Sequence, residues 1–271
     1  MDSGCDAVRE GGPRQQVTLR FLGTALDVGR FPALVTSAVP LPVLPVCGAW
    51  VHVPVRRDGV QSGMKAVVLA AGRGTRLGAI TRAQNKCMIN YRGMPIVEHT
   101  VARMAELPHI EEIVLVVGYQ ADTVVRHFGM HYRGVPITYQ EQSGQRGLVD
   151  ALGCAAPAVR GAPFLLLLGD EVMVEPRFGD FLDDFPRYDA LLGAVPGQPE
   201  DRIRKTYTFL HGTDRLVHRL VEKPVVALND LMGTGIVALP ADTFDLIERT
   251  PVNPARGERD LVGLLQTAID E

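Results

Sequence analysis

The sequence predicts an α/β domain built on a largely parallel sheet. From residue 65 onward, short apolar runs that stop at glycine or proline alternate with segments of helical spacing. This alternation is typical of strands joined by crossover helices. The chain has 271 residues, of which 46% are hydrophobic, so it is long enough to bury a large core.

The alternation is most regular in the first half of this domain. The predicted elements there are a strand over 65–71, a helix over 96–107, a strand over 113–117, a helix over 121–128, a strand over 137–140, a helix over 148–156 and a strand over 164–168. Farther on, strands of mixed direction are predicted over 190–195, 206–210, 217–221 and 234–239, and helices over 241–249 and 258–269. Ligands of such sheets bind beyond the carboxyl ends of the strands, where Gly72 and Asp170 fall.

Composition limits the classes of function. The formal net charge is −3, with 28 Lys and Arg against 31 Asp and Glu, so the chain has no overall cationic field for a nucleic-acid backbone. The four cysteines lie far apart without a Cys-x-x-Cys pair, which argues against a zinc ribbon and against a disulfide scaffold. We therefore predict a cytoplasmic protein with reduced thiols that does not bind nucleic acid.

The first 63 residues differ from the rest of the chain. They contain six arginines but none of the four lysines, and they show no sustained helical or strand period. Five prolines interrupt the apolar stretch over 31–55, which therefore lacks the run of about 20 apolar residues that a membrane-spanning helix needs. Asp2, Asp6 and Glu10 precede it, unlike the basic start of a secretory signal. Neither a membrane segment nor a targeting segment is predicted.

A glycine-rich turn follows the first predicted strand, in the run Ala70-Ala71-Gly72-Arg73-Gly74-Thr75-Arg76. Glycine lets the backbone approach a ligand closely, and the amide N–H groups of such a turn can hold phosphate. A guanidinium such as that of Arg76 binds phosphate oxygens in a fork. The dinucleotide-binding fingerprint fails because Leu77 stands where its third glycine is needed, and no Gly-Lys-Ser/Thr of a phosphate-binding P-loop fits here.

Charged residues farther along the chain have both a chemical and a structural interpretation. Lys86 stands ten residues past Arg76, as either a solvated surface charge or a second positive charge in a phosphate site. Asp170 directly follows a run of apolar residues, a position that suits a turn cap or a metal ligand. Glu222 and Lys223 end another predicted strand, as surface charge pairs often do. The residues alone leave these alternatives open.

The motifs occur in one order along the chain. They are Leu69-Ala70-Ala71-Gly72-x-Gly74-Thr75-Arg76-Leu77, Lys86, Gly93-x-Pro95-Ile96, Gln142 with Gly147-Leu148, Leu168-Gly169-Asp170, Val221-Glu222-Lys223-Pro224 and Thr234-Gly235. In this order they resemble the sugar-1-phosphate nucleotidyltransferases, such as the glucose-1-phosphate thymidylyl- and uridylyltransferases. The resemblance runs from Met64 to about Glu271. It implies a Rossmann-like three-layer α/β domain with a mixed, mostly parallel central sheet.

The resemblance also implies a reaction and a role for each motif. A sugar-1-phosphate oxygen attacks the α-phosphorus of a nucleoside triphosphate, pyrophosphate leaves, and a nucleotide-sugar forms. The implied roles are catalysis by Arg76 and Lys86, nucleotide binding by Ala70, Gly72, Gly74, Thr75, Gln142 and Gly147, substrate binding by Glu222, Lys223, Thr234 and Gly235, and Mg²⁺ binding by Asp170. Gln142 and Gly147 match the positions that read the base in the thymidylyl- and uridylyltransferases.

Two departures from the family pattern bear on function. The family usually has proline before the lysine, where this chain has Asn85. Phosphocholine cytidylyltransferase-like members also vary there, so an alcohol phosphate is the alternative to a sugar phosphate. A second metal-binding aspartate of the family lies in a Trp-x-Asp-x-Gly-like strand, whereas this chain ends at Glu271 and its one tryptophan is Trp50. We therefore expect weak or absent activity.

Two further alternatives stay open. One is a non-catalytic relative that binds nucleotide or sugar phosphate, and the other is a structural domain whose motif residues are ordinary turns and caps.

Members of the family commonly begin their chains near the phosphate-site strand, as Met64 would here. We predict that residues 1–63 are disordered or an upstream misreading of the start. Residues 64–271 would then form the nucleotidyltransferase domain, shortened at its C-terminal end. The expected partners are a nucleoside triphosphate and a sugar 1-phosphate, without nucleic acid or membrane, and homo-oligomerisation is left open.

Overall fold

The computed structural model describes residues 63–74, 84–159, 161–174, 177–211 and 217–271, together with three short strands before them. The strands are β1 (Leu19–Phe21), β2 (Val43–Pro45), β3 (Ala49–Pro54), β4 (Met64–Leu69), β5 (Asn90–Tyr91), β6 (Met94–Pro95), β7 (Ile110–Val117), β8 (His131–Tyr132), β9 (Val135–Glu141), β10 (Phe164–Leu168), β11 (Val172–Val174), β12 (Tyr188–Val195), β13 (Tyr207–His211), β14 (Val217–Glu222) and β15 (Met232–Leu239). The helices are α1 (Ile96–Ala105), α2 (Ala121–Phe128), α3 (Leu148–Cys154), α4 (Ala156–Val159), α5 (Phe178–Asp184), α6 (Glu200–Ile203), α7 (Thr243–Leu246) and α8 (Leu261–Asp270), with 3₁₀ turns at Lys86–Met88 and Phe185–Arg187. None of these described helices is long and apolar enough to cross a membrane.

Nine of the described strands form one mixed sheet in the order β1-β3-β12-β15-β10-β4-β7-β9-β8. The strands β10, β4, β7 and β9 are parallel to one another, and Leu168 of β10 and Val116 of β7 flank Leu69 of β4. The strand β15 is antiparallel to both β10 and β12, so β12 runs in the same direction as the parallel group. Five of the six strands from β12 to β9 therefore share one direction, which confirms the predicted mixed, mostly parallel sheet.

Helices cover both faces of the sheet because the central strands are apolar on both faces. In β4, Val67 and Leu69 belong to the core that contains residues of α3 and α8. Ala66 and Val68 belong to the opposite core, which contains residues of α1, α2 and α5. Successive residues of a strand point to opposite faces, so one short apolar run supplies both cores. The result is a helix–sheet–helix sandwich, which confirms the predicted three-layer α/β architecture.

Most predicted elements are present, with shifts at their ends. The predicted helix over 258–269 begins only at Leu261, because the Asp260 carboxylate caps it by accepting a hydrogen bond from the Gly263 N–H at 2.8 Å. The predicted helix over 241–249 is reduced to the single turn Thr243–Leu246. Most of the chain between these two helices forms turns and a β-bridge. This irregular segment contributes residues to the candidate active site.

Three stretches within residues 1–63 are strands. The strand β3 pairs antiparallel with β12, β1 extends the sheet beyond β3, and β2 pairs in parallel with β11. In these stretches the structure differs from the expected disorder, because their backbone groups bond to other strands. The other residues before Gly63 lie outside the described part of the chain. The boundary at residue 64 and the upstream misreading of the start stay predictions.

Candidate active site

The carboxyl ends of β4, β7 and β10 meet at one edge of the sheet and form the floor of the site. The Ala70 N–H donates to the Val116 carbonyl at 2.8 Å, and the Gly169 N–H donates to the Leu69 carbonyl at 2.9 Å. A Cβ atom at Gly169 would lie 2.9 Å from the Leu69 oxygen, so only glycine fits this close approach. Beyond the floor the chain enters the glycine turn, in which Gly74 has a left-handed φ of 65°.

Lys86 and Asp170 form an ion pair beside this floor. Asp170 follows β10, and Lys86 begins the 3₁₀ turn that precedes β5. Their side chains are 22% and 33% exposed, so both stay accessible to a ligand. The contact joins residues 84 positions apart and brings together two groups that the sequence singles out separately.

Asn85 holds this lysine turn against the floor. Its side chain is completely buried. The amide Nδ2 donates to the carbonyls of Ala70 at 3.2 Å and Tyr119 at 2.7 Å. Its Oδ1 accepts from the Cys87 N–H at 2.9 Å and so caps the turn that carries Lys86. Asn85, which departs from the family pattern at this position, therefore links the turn to the loops after β4 and β7 through hydrogen bonds.

Gln142 and Gly147 lie in the loop between β9 and α3. Gln142 is 5% exposed, and its Nε2 donates to the Gly147 carbonyl at 3.0 Å and to the Asp150 carboxylate at 2.8 Å. Gly147 has a φ of 97°, and a Cβ atom there would lie 2.6 Å from the Glu258 carboxylate. Glycine at this position therefore lets Glu258 pack against the loop.

These groups surround a cavity of about 810 Å³, a volume within the usual range of small-molecule sites. Six of the residues with a predicted role line it, namely Gly72, Gly74, Lys86, Gln142, Gly147 and Asp170. Ala70, predicted to bind nucleotide, is 1% exposed and supports the floor through its hydrogen bonds instead of lining the cavity. Thr75 and Arg76 lie outside the described residues, so their roles stay predictions.

A smaller cavity of about 190 Å³ adjoins the first, because Leu148, Leu168 and Glu258 line both. Three of the predicted substrate-binding residues line it, namely Glu222, Thr234 and Gly235. The Thr234 hydroxyl donates to the Gly193 carbonyl at 2.9 Å, so it already serves the pairing of β15 with β12. Glu222 is the one predicted substrate-binding residue that brings a charged group to this cavity.

Lys223 lies outside both cavities. Its backbone has a left-handed φ of 43°, and its N–H donates to the Thr206 carbonyl at 2.7 Å. This turn leaves the residue exposed. Glu222 therefore lines the smaller cavity, whereas its neighbour Lys223 does not. The contact of Lys223 with a sugar phosphate stays a prediction.

The cavities also contain residues that the sequence analysis did not single out. Arg256 donates to the Glu222 carboxylate at 2.5 Å, and Glu258 lies where the two cavities meet. Both come from the turns ahead of α8, whose path no local sequence pattern predicts. Glu171, next to Asp170, lines the smaller cavity. Burial, with the nearby charge of Asp170 as a second cause, raises the pKa of Glu171 to about 7.

Asp170 is a described residue that could hold a metal ion. Mg²⁺ prefers oxygen ligands and often takes only one or two carboxylates, with substrate phosphates and water completing its coordination. The Asp170 carboxylate offers such a ligand at the wall of the larger cavity. Within the described ranges, no group of three or more His, Cys, Asp or Glu side chains could hold a metal. A metal at Asp170 would therefore depend on the phosphates of a bound nucleotide.

Comparison with known proteins places this arrangement in a family. The family model described as nucleotidyl transferase matches residues 65–271. The UTP–glucose-1-phosphate uridylyltransferase AglF of Haloferax volcanii is 42% identical over 185 residues, which cover 67% of this chain and 74% of that protein. The bifunctional protein GlmU of Methanococcus maripaludis is 32% identical over 209 residues, which cover 76% of this chain and 47% of that protein.

Solved structures share the fold. A UDP-glucose pyrophosphorylase in complex with UDP-glucose matches with a TM-score of 0.65 at 19% identity, covering 77% of this chain and 87% of that one. A Bacillus anthracis protein described as a glucose-1-phosphate thymidylyltransferase matches with a TM-score of 0.62 at 26% identity, covering 74% of this chain and 81% of that one. The family match begins at the strand that leads into the glycine turn and includes both cavities. The chain therefore belongs to the nucleotidyl transferase family.

Proposed function

We propose that the chain transfers a nucleoside monophosphate from UTP or dTTP to a sugar 1-phosphate and releases pyrophosphate. The observation that carries this proposal is that two cavities of different chemistry adjoin. The larger one has a glycine turn, Lys86 and Asp170, which suit a triphosphate with its metal. The smaller one has the Glu222 carboxylate, which suits sugar hydroxyls. Glu258 lies at the boundary where the two substrates meet in this proposal.

The reaction forms one phosphorus–oxygen bond and breaks another. An oxygen of the sugar phosphate attacks the α-phosphorus, and the bond from the α-phosphorus to the bridging oxygen breaks, so that pyrophosphate leaves with the electron pair. Backbone N–H groups around Gly72 and Gly74 orient the triphosphate. Lys86 neutralises the negative charge that develops on the triphosphate during the reaction. Positioning and charge stabilisation thus account for most of the rate enhancement.

Asp170 holds Mg²⁺ in this proposal. When bound, the metal supplies positive charge that polarises the phosphoryl group. Lys86 must then turn from Asp170 to the substrate phosphates, which its flexible four-carbon chain permits. Thr75 and Arg76 keep the phosphate-binding roles that the family resemblance implies. Nucleoside triphosphates are abundant in the cytoplasm, where we place the reaction.

The smaller cavity indicates how the sugar phosphate is held. Arg256 brings a guanidinium to the cavity wall beside Glu222, so it can meet the phosphate while Glu222 accepts from sugar hydroxyls. Lys223 would have to move from its exposed position to contribute. The names of two similar proteins support the choice of substrates, because one is a uridylyltransferase for glucose 1-phosphate and the other is described as a thymidylyltransferase.

Pyrophosphate release from the full chain tests the proposal. UTP, dTTP, CTP, ATP and GTP are each combined with glucose 1-phosphate, N-acetylglucosamine 1-phosphate, mannose 1-phosphate or phosphocholine, in the presence of Mg²⁺. We expect release only when UTP or dTTP meets a sugar 1-phosphate. Release from CTP with phosphocholine would instead support a cytidylyltransferase, and saturable nucleotide binding without release would support a non-catalytic relative.

A further inference from the structure

We propose that Asp150 sets the base specificity of the larger cavity by fixing the orientation of the Gln142 amide. This inference rests on the proposed function and on the base-reading position of Gln142 that the family resemblance implies. Gln142 is buried in the cavity wall. Its Nε2 carries two hydrogens, and both have partners, the Gly147 carbonyl at 3.0 Å and the Asp150 carboxylate at 2.8 Å.

The orientation follows from the chemistry of these two partners. A carboxylate and a backbone carbonyl only accept hydrogen bonds. If the amide were turned over, the Gln142 oxygen would face two other oxygens, and both hydrogen bonds would be lost. Gln142 therefore has only its carbonyl oxygen, an acceptor, to offer a ligand.

Asp150 is itself held from the outer side. Its second carboxylate oxygen accepts from Arg146 Nε at 2.9 Å. The Arg146 side chain is 68% exposed, whereas that of Asp150 is 25% exposed. The carboxylate thus joins a surface cation to a buried amide. Because the Asp150 carboxylate has no hydrogen to donate, it opposes any orientation of Gln142 in which the amide oxygen faces it.

A fixed acceptor distinguishes the pyrimidine bases. Uracil and thymine carry a hydrogen on N3, which donates to the Gln142 carbonyl. N3 of cytosine carries a lone pair instead, which the carbonyl repels. Because a buried polar group facing the wrong partner weakens binding by roughly tenfold to a hundredfold, UTP should bind more tightly than CTP by about that factor.

The test is the ratio of the dissociation constants for CTP and UTP, measured by isothermal titration calorimetry on the full chain. In Asp150→Asn, the new amide can donate to Gln142, so Gln142 can turn over and donate to N3 of cytosine. The Gly147 carbonyl still opposes this turn, so we expect the ratio to fall by roughly tenfold without vanishing. Asp150→Ala, which leaves the Gly147 carbonyl as the one remaining partner, should shift the ratio in the same direction.

Two controls separate positioning from general damage to the fold. Arg146→Gln removes the outer partner of Asp150 but keeps the carboxylate, so the ratio should stay at the wild-type value. In a Gln142→Ala background, Asp150→Asn should leave the ratio unchanged, because Asp150 acts through Gln142. Partial unfolding would weaken binding of both nucleotides alike and leave the ratio unaffected.

The outcomes distinguish this inference from the proposed function. A wild-type ratio near one, or a ratio that neither Asp150 variant changes, overturns the role of Asp150 even if sugar nucleotides are formed. Selective UTP binding that Asp150→Asn relaxes supports the role, even if no pyrophosphate is released and the proposed function fails. A chain that binds neither nucleotide overturns both.

Discussion

Replacing Asn85 by alanine should destabilise the fold through a single buried side chain. The substitution removes three hydrogen bonds, those to the Ala70 and Tyr119 carbonyls and that from the Cys87 N–H. Each such bond contributes about 1 kcal/mol net, so we expect the free energy of unfolding to fall by about 2–4 kcal/mol. For a domain of this size, the melting temperature should fall by roughly 5–15 °C.

The measurement is urea unfolding of the full chain followed by circular dichroism, with Asn90→Ala as the matched control. Asn90 is exposed, and its side chain accepts one hydrogen bond, from the Gly93 N–H at 3.0 Å. Loss of this exposed bond should change the free energy of unfolding by no more than about 0.5 kcal/mol. Equal stability of Asn85→Ala and the control variant would show that the buried hydrogen bonds of Asn85 do not stabilise the fold.

The backbone at Asn85 explains how the family's usual proline can stand at the same position. Asn85 has φ −58° and ψ 135°, close to the φ of about −65° that a proline ring imposes. A proline would restrict the entry to the lysine turn through its ring, whereas asparagine restricts it through hydrogen bonds. Two different side chains can therefore present Lys86 in the same way.

Three other substitutions, one of them with a matched control variant, test separate parts of the site. Lys86→Met should slow pyrophosphate release by roughly 100- to 1,000-fold at saturating substrate with little change in melting temperature, and a loss below tenfold would contradict its role. Gly147→Ala should lower the free energy of unfolding by about 1–3 kcal/mol, because the new methyl group meets the Glu258 carboxylate and φ is left-handed. Gly161→Ala, with φ 78° and open space around it, should lose only about 1 kcal/mol in the same denaturation assay, and equal losses would argue against the clash. Glu222→Gln should raise KM for the sugar phosphate and leave KM for the triphosphate unchanged in initial-rate measurements, whereas equal rises would remove Glu222 from the sugar site.

The sequence predicts which residues follow the strands and reach the site, but it does not predict which residues they contact there. Gly72 and Asp170 are predictable because each comes after an apolar run, and the carboxyl ends of parallel strands meet at one edge. The contact between Lys86 and Asp170 is not predictable from local patterns. It requires β10 to lie next to β4, a tertiary pairing across about a hundred residues of chain.

Local sequence patterns do not predict the positions of residues on irregular segments. Arg256 and Glu258 reach the cavities through the turns ahead of α8, which the sequence predicts in part as helix. Lys223 belongs to a recognisable motif, yet its left-handed backbone leaves it outside both cavities. Ala70 also belongs to a motif, but its buried position makes it a support for the floor. Motif membership thus predicts proximity to the site more reliably than direct contact with a ligand.

If Lys86 binds phosphate and Asp170 binds Mg²⁺ as proposed, their ion pair makes the binding of anion and cation interdependent. A phosphate that arrives alone must separate Lys86 from its carboxylate, and a divalent cation that arrives alone must separate Asp170 from its ammonium group. Either event leaves one charge of the pair uncompensated. A nucleotide already complexed with its metal engages both charges after one separation, so the two binding events favour each other. In the proposed function, the site should thereby prefer the complex over free phosphate or free metal, by a modest amount because both side chains are partly exposed.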